Sequence, residues 1–108
     1  MKRGEIWTVA GGVYAAKPRP ALIIQEDLFG ETTSVTVVPL TSTLTDAPFL
    51  RVRISNSDLA GLDRVNDIMV DKLTTIHRSN VHNRLGRLAS EQLVEVEQAL
   101  MAFLGLAR

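Results

Sequence analysis

The chain has 108 residues, of which 45% are hydrophobic; this suits one folded domain over residues 1–108 and excludes a disordered protein. Its net charge is zero, so it lacks the basic excess that is typical of proteins that coat nucleic acid. The absence of cysteine excludes disulfides and cysteine-ligated zinc, and with two histidines we expect no metal site. No apolar stretch is long enough for a secretory signal or a membrane span, so we expect a cytoplasmic protein with no membrane partner.

Charge is distributed unevenly along this neutral chain. Residues 1–20 carry four basic side chains and one acid, and residues 77–88 carry three arginines and no acid. Residues 26–46, by contrast, carry four acids and no base. A fold that brings the two basic stretches together would therefore form a positive groove.

The first third of the chain predicts two strands with a loop between them. Glu5–Val9 alternates in polarity, which is typical of a half-buried strand. Ala10–Pro18 is rich in small residues and contains two adjacent glycines, so it predicts a loop. Ala21–Ile24 is a continuous apolar run, which predicts a strand buried on both faces, with Pro20 at its start.

The middle of the chain predicts further short strands. Val35–Leu40 is rich in β-branched residues, and Leu50–Ile54 has a clear period of two. Ser55–Leu62 carries turn and short-helix signals. Three more strand candidates follow: Asp67–Val70, Leu73–Ile76 and Arg84–Leu88.

A single helix is predicted from about Glu91 to Leu104, with Ser90 as its N-cap and Gly105 as its C-terminal stop. Five apolar side chains fall on one face of this helix, and their burial would contribute roughly 10 kcal/mol gross. They are Leu93, Val96, Leu100, Phe103 and Leu104. Short strands followed by one helix predict a mainly β fold, a small curved antiparallel β-barrel with the helix packed on it.

Two segments carry residues suited to phosphate chemistry. Lys17-Pro18-Arg19-Pro20 holds Arg19 in an extended conformation between prolines, either as a solvated arginine or as an anion-binding one. Thr41 and Ser42 end a predicted strand, where their hydroxyls either bond the local backbone or donate to a phosphate oxygen.

Other charged residues are more ambiguous. Arg51 and Arg53 project from one strand face, either as a solvated pair or as a basic patch. Asp71 and Lys72 form an exposed ion pair or a turn in the simplest interpretation. The histidines, at positions 77 and 82, have a suitable pKa for proton transfer, but their spacing does not place them in one site.

The order of several segments resembles that of the MazF/PemK family of toxin endoribonucleases, which belong to type II toxin–antitoxin systems. Arg3–Trp7, Arg19–Ile24 and Val37–Ser42 are similar to its first three strands, and Asp71–Ile76 to the segment that commonly ends in Arg-Thr-Ile. Residues 76–106 follow the family's close, a Gly-x-Leu step into an acidic helix. The resemblance covers nearly the whole chain and depends on the order and spacing of these segments together.

The resemblance implies an SH3-like barrel of the MazF/Kid/CcdB type that forms a two-fold homodimer. It also implies sequence-specific cleavage of single-stranded RNA without a metal or other cofactor, by 2′-OH attack that leaves a 2′,3′-cyclic phosphate. Arg19 and Thr41 match the family's catalytic residues, and Asp71 matches an acidic position that some members use. The general base is left unassigned, because a guanidinium stays protonated at ordinary pH.

Binding partners also follow from the resemblance. We expect RNA contacts from five residues: Lys17, Ser42, Arg51, Arg53 and Lys72. A cognate acidic antitoxin would lie in the same groove, and the lid-like loop of the family matches Ala10–Pro18. Thr74 stands where the family commonly has arginine, which removes one potential phosphate contact.

Two other functions remain open from the sequence. A related barrel family poisons DNA gyrase by binding alone, through residues at the C-terminus, and this chain ends in Leu106-Ala107-Arg108. A catalytically silent barrel that binds RNA or protein is the third possibility, although the presence of Arg19 and Thr41 argues against it.

Overall fold

Seven strands and one C-terminal helix form the fold in the computed structural model, which describes residues 1–11, 15–55 and 59–106. The strands are β1 Glu5–Gly11, β2 Ala15–Ile23, β3 Ser34–Thr41, β4 Arg51–Ile54, β5 Asn66–Met69, β6 Thr74–His77 and β7 Val81–Arg87, and the helix is α1 Ser90–Phe103. Short 3-10 turns lie at residues 27–29, 70–72 and 78–80. No helix in these described ranges is long and apolar enough to span a membrane.

All strand pairings described are antiparallel, and β3 lies at the centre of the sheet. The sheet order is β4-β5-β3-β2-β1-β7, and β6 also pairs with β3. Strand β6 pairs with the first half of β3, from Ser34 to Val37, while β5 pairs with its end at Leu40 and Thr41. The expected mainly β fold with a C-terminal helix is confirmed, but the sheet is strongly curved and open instead of a closed barrel, since β4 and β7 do not pair in the described chain.

Successive side chains of the central strands point alternately into two apolar clusters, which lie on opposite faces of the sheet. Leu22 and Val38 belong to the larger cluster, which also contains Val96 and Leu100 of the helix. Ile23 and Val37, their immediate chain neighbours, belong to the smaller cluster. Because successive side chains point to opposite faces, the part of a strand that lies between the two clusters is apolar on both faces, as at residues 37–40 of β3. The predicted burial of the Ala21–Ile24 run on both faces is confirmed for its first three residues.

The helix is predicted correctly in position, but two of its details were wrong. Ser90 is the first helical residue, and Ala89 occupies the N-cap, where its N–H donates to Gln92 Oε1 at 3.1 Å. Phe103 and Leu104 were expected on the buried face, but they are 46% and 48% exposed and belong to neither apolar cluster. Of the five predicted side chains, Val96 and Leu100 are buried and Leu93 is partly buried.

The C-terminal stop of the helix is confirmed. Gly105 has a φ of 73°, and the Leu106 N–H donates to the Met101 carbonyl at 2.8 Å. This is the Schellman pattern, in which a left-handed residue lets the chain satisfy the last carbonyls.

The predicted loop between the first two strands is too long. Strand β1 continues to Gly11 and β2 begins at Ala15, so Lys17 and Pro18 are strand residues and not loop residues. Residues 12–14 of this prediction lie outside the described residues. The predicted turn at Ser55–Leu62 is seen at residues 59–61, but residues 56–58 lie outside the described residues, and the flanking positions show no helix.

Two glycines allow the turn at residues 59–61 to lie directly on β7. A Cβ on Gly61, whose φ is 70°, would sit 1.9 Å from the Leu85 carbonyl oxygen, and one on Gly86 would sit 2.3 Å from the Leu59 carbonyl oxygen. The Arg87 N–H donates to that Leu59 carbonyl at 2.9 Å. The backbone of the turn thus packs directly against the backbone of β7, and the segment that begins at Gly61 lines one cavity with the middle of β2 and the end of β3.

Replacing Gly61 with alanine should destabilise the protein strongly, because the new methyl group meets a carbonyl oxygen and the backbone angle is unfavourable for alanine. We expect a loss of about 2–4 kcal/mol in the free energy of unfolding. Gly30→Ala is the matched control: its φ of −66° suits alanine, and its Cβ would lie 3.1 Å from the Asp27 carbonyl oxygen, a far smaller overlap, so it should lose about 1 kcal/mol or less. Urea denaturation of both variants measures this, and equal stabilities would contradict the close approach.

Candidate active site

A cavity of about 480 Å³ opens between the middle of β2, the end of β3 and the chain from Gly61 onward. Its volume is in the range of small-ligand sites, roughly 300–1,000 Å³. Both segments singled out for phosphate chemistry contribute to its lining, through Arg19 on β2, Thr41 at the end of β3 and Ser42 directly after it. The sequence prediction that these residues belong together therefore agrees with their placement.

The pairing of β2 with β3 carries Arg19 and Thr41 to the same cavity. Strands β2 and β3 pair from Ile23↔Val37 to Ala21↔Pro39, and Arg19 and Thr41 each lie two residues beyond the last of these pairs. On its other side, Arg19 pairs with Val9 of β1. The backbone that carries Arg19 is thus held within the sheet, although its side chain is exposed.

The guanidinium of Arg19 has no hydrogen bond or ion pair with any of the described residues. All five of its N–H donors are therefore available to a ligand. A planar guanidinium in a cavity can bind two oxygens of one phosphate, which suits an anionic ligand.

Thr41 retains a donor while its oxygen is held in place. Its Oγ1 accepts a hydrogen bond from the Thr43 N–H at 3.1 Å, so the predicted local backbone bond is present. This bond uses a lone pair and leaves the hydroxyl proton free to donate. Thr41 can therefore bond the local backbone and donate to a phosphate oxygen at the same time. Ser42, the next residue, is exposed.

Sequence reasoning missed three polar residues of the cavity, namely Asp63, Arg64 and Asn66. Asp63 and Arg64 are exposed, whereas Asn66 is buried and its Nδ2 donates to the Arg64 carbonyl at 3.0 Å. The one local signal in the sequence was a turn glycine, Gly61, followed closely by the charged residues Asp63 and Arg64. The approach of that turn to β2 and β3 depends on tertiary packing, so the sequence pattern did not reveal it.

Arg53 belongs to a separate groove, where it is paired. It lies opposite Asp67 across β4 and β5, its Nε donates to Asp67 Oδ1 at 2.9 Å, and its Nη2 donates to Asp67 Oδ2 at 3.2 Å. These hydrogen bonds, with one from the Thr45 N–H, outweigh burial and lower the pKa of Asp67 below its ordinary value. The same bonds raise the pKa of Arg53.

Arg51 lines the same groove and is paired as well. Its Nη1 forms an ion pair with Asp71, which lies in the 3-10 turn after β5, while its Nε is buried without a partner among the described residues. Lys72 is exposed beside Asp71, and Lys17 is exposed on β2 outside the lining of the Arg19 cavity. The eight residues singled out for the site thus divide: Arg19, Thr41 and Ser42 line one cavity, and Arg51, Arg53 and Asp71 form ion pairs elsewhere.

The two basic stretches lie side by side, because β1 pairs with β7. Their charges are partly neutralised: Arg84 Nε donates to Glu5 Oε2 at 2.8 Å, and the Trp7 indole donates to Glu5 Oε1 at 3.1 Å. Burial raises the pKa of Glu5, but these bonds and one from the Lys2 N–H outweigh it and lower the pKa overall. The pairing of β1 with β7 is therefore stabilised by an ion pair that engages Arg84, while Arg87 on the same strand is exposed and has no carboxylate partner among the described residues.

Neither histidine approaches the cavity lining: His77 ends β6, and His82 lies exposed on β7. Over the described ranges, no three histidine, aspartate or glutamate side chains are grouped so that they could hold a metal ion.

The family model for PemK-like, MazF-like toxins of type II toxin–antitoxin systems matches residues 2–104 of this sequence. The chain belongs to this family. It is 52% identical, over 108 residues and 99% of each chain, to a probable endoribonuclease MazF of Mycolicibacterium smegmatis. This degree of identity over the full length confirms the resemblance inferred from the segment order.

Solved structures of MazF proteins share the fold. An endoribonuclease in complex with its cognate antitoxin, from a mycobacterial species, superposes with a TM-score of 0.83 at 24% identity, covering 100% of this chain and 98% of that one. The MazE–MazF complex of Deinococcus radiodurans superposes with a TM-score of 0.79 at 24% identity, covering 99% and 97%. Both structures therefore share the fold of this chain over nearly its full length.

Acid should weaken the fold through Asp67. Because its pKa is lowered in the folded state, ionised Asp67 stabilises the fold above the ordinary carboxyl pKa of about 4, and this stabilisation is lost as pH falls through the lowered value. Asp67→Asn should cost about 1–2 kcal/mol at pH 7, since Arg53 is half exposed, and the difference from wild type should shrink toward pH 2.

Urea denaturation at several pH values measures this effect. Glu31→Gln, at an exposed turn position before β3, is the control and should follow wild type throughout. A gap between wild type and Asp67→Asn that stays constant with pH would contradict the assignment.

Proposed function

We propose that this chain is a sequence-specific, metal-independent endoribonuclease toxin that cleaves single-stranded RNA and so inhibits translation and growth. The observation that carries the proposal is that Arg19, whose guanidinium has no partner among the described residues, and Thr41 line one cavity from the neighbouring strands β2 and β3. Membership of the PemK-like, MazF-like toxin family and the 52% identity to a probable endoribonuclease support it.

The proposed reaction is an internal transesterification. The ribose 2′-oxygen attacks the adjacent phosphorus, the bond from phosphorus to the 5′-oxygen breaks, and the products carry a 2′,3′-cyclic phosphate and a 5′-hydroxyl. One proton leaves the 2′-hydroxyl and one reaches the departing 5′-oxygen. Negative charge on the phosphate oxygens increases in the transition state, and donors placed beforehand stabilise that charge.

In this mechanism Arg19 donates two hydrogen bonds to the phosphate oxygens and Thr41 donates a third. Arg19 acts by electrostatic clamping and stays protonated. The general base is not assigned. Asp71 remains a weaker candidate, since its carboxylate is engaged by Arg51 outside the cavity lining.

We also propose that the bound RNA continues beyond the cavity and contacts further residues. Ser42 and Lys17 lie closest in sequence to the catalytic pair and would bind neighbouring phosphates. Arg51 and Arg53 line the second groove, where both already have carboxylate partners, and Lys72 is exposed beside Asp71 outside this lining. An RNA phosphate there would compete with Asp67 and Asp71, so we expect these arginines to contribute less than Arg19.

The proposed partners are a cognate acidic antitoxin and a second copy of the chain, acting in the cytoplasm. Structures of relatives include an endoribonuclease with its cognate antitoxin and a MazE–MazF complex. Exposed apolar side chains at the end of the helix support association, with Phe103, Leu104 and Leu106 between 46% and 74% exposed. The gyrase-poison alternative depends on the last three residues, of which 107 and 108 lie outside the described residues.

Arg19→Ala should lower RNA cleavage by about a thousandfold or more, because it removes a charged donor that contacts the transition state. The assay maps new RNA ends in excess EDTA, and the wild-type products should carry 2′,3′-cyclic phosphates. Arg78→Ala removes the same charge at the opposite end of β3 and should cleave like wild type. Cleavage by Arg19→Ala at the wild-type rate would refute the catalytic assignment.

Thr41→Val should lower kcat on the order of a hundredfold, since it keeps the shape of threonine and removes the hydroxyl donor. Thr41→Ser keeps the hydroxyl and should retain most of the activity. Single-turnover kinetics on one defined RNA distinguishes the two, and equal rates for the valine and serine variants would show that the hydroxyl has no role.

A further inference from the structure

Asn66 is a polar side chain of the cavity without an assigned role. It is the first residue of β5, it is only 4% exposed, and it lines the cavity that contains Arg19 and Thr41. A buried amide in a cavity requires hydrogen-bond partners for both its nitrogen and its oxygen.

The orientation of this amide is set by the backbone. Asn66 Nδ2 lies 3.0 Å from the Arg64 carbonyl oxygen, and a carbonyl can only accept, so the nitrogen must be on that side. The amide oxygen Oδ1 therefore points elsewhere, and none of the described residues donates a hydrogen bond to it.

The remaining exposed surface of Asn66 indicates that Oδ1 faces the cavity. Over the described chain, the one enclosed side-chain nitrogen or oxygen atom without a partner is Arg51 Nε, so the unpartnered Asn66 Oδ1 keeps some accessible surface. Asn66 lines the Arg19 cavity, whereas Asp67, the next residue, lines the other groove because strand residues alternate. Asn66 thus offers the cavity a fixed hydrogen-bond acceptor.

The surroundings of Asn66 suit a flat, partly apolar ligand group. Strand β5 lies beside β3 in the register Thr41↔Asp67, which places Asn66 one strand away from the Thr41–Ser42 step. Leu62 and Leu85 form apolar parts of the same lining. A nucleobase has apolar faces and polar edges, and bases of single-stranded RNA are commonly recognised by side-chain hydrogen bonds to those edges.

We propose that Asn66 determines cleavage specificity by accepting, at Oδ1, a hydrogen bond from an amino or imino N–H of the nucleobase next to the scissile phosphate. This inference rests on the proposed ribonuclease function. In it, Arg19 and Thr41 act on the phosphate, and Asn66 recognises the RNA base. A base with an N–H group facing Asn66 Oδ1 would form this hydrogen bond. A base without such a group would leave Oδ1 unpaired and would be cleaved less well.

Arg64 provides the matched comparison, because it lines the same cavity with a different kind of group. Its side chain is exposed and cationic, and the described residues give its guanidinium no partner. A cation near RNA binds phosphate, which every nucleotide carries, so its contribution is independent of sequence. Arg64→Ala keeps the backbone carbonyl that holds Asn66.

The test cleaves a randomised single-stranded RNA pool with wild type, Asn66→Ala and Arg64→Ala, and ranks all cut sequences. Asn66→Ala should lose base preference at one position beside the cut, with cleavage of the preferred sequences falling about tenfold and that of the others little changed. Arg64→Ala should lower cleavage of all sequences by a similar factor without changing their ranking.

A substrate-side measurement links the residue to the base. At the position that Asn66→Ala relaxes, a base analogue without the N–H donor should slow the wild type about tenfold and should not slow the variant further. Asn66→Ser, which keeps a small polar group, replaces the alanine variant if thermal melting shows that Asn66→Ala is unfolded.

An unchanged cleavage motif in a folded Asn66 variant, or a uniform decline like that of Arg64→Ala, would overturn this inference and leave the proposed function standing. A wild type that cuts no RNA would overturn the proposed function, and this inference with it.

Discussion

The central strand β3 is the constraint on which the rest of the structure depends, because it bonds to three other strands. Strand β2 covers one edge of β3, while β6 and β5 share the other edge in succession. Val37 and Val38 send their side chains into different apolar clusters, so both faces of the sheet are built around this strand. Its last residue, Thr41, is held at the cavity by the same hydrogen bonds that stabilise the core.

Ion pairs with carboxylates determine which cationic side chains of this neutral chain remain free to bind phosphate. Arg51, Arg53 and Arg84 each have a carboxylate partner, whereas Arg19 and Arg64 have none among the described residues and line one cavity. A site for phosphate thus requires a local excess of unpaired donors and does not require a basic protein. The zero net charge is therefore compatible with the proposed binding of RNA.

Much of the fold could be predicted from the sequence, and the errors have physical causes. The helix and its stop at Gly105 were predicted because local backbone signals determine them. Phe103 was assigned to the core from its position on the helical face, yet it is 46% exposed and joins neither apolar cluster, because the extent of packing along a helix depends on tertiary contacts. In the site, the segment resemblance identified Arg19 and Thr41, whereas Asn66 carried no local signal that would mark it as a cavity residue.

The sequence by itself determined the strand and helix periods, the rigid Lys17–Pro20 segment and membership of the family, because these depend on residues close together in the chain or on their order. Only the tertiary structure decided that Arg53 is neutralised by Asp67 and that Asn66 joins the cavity. Such contacts depend on strand register and on the close packing of Gly61 against β7, which bring together residues far apart in sequence.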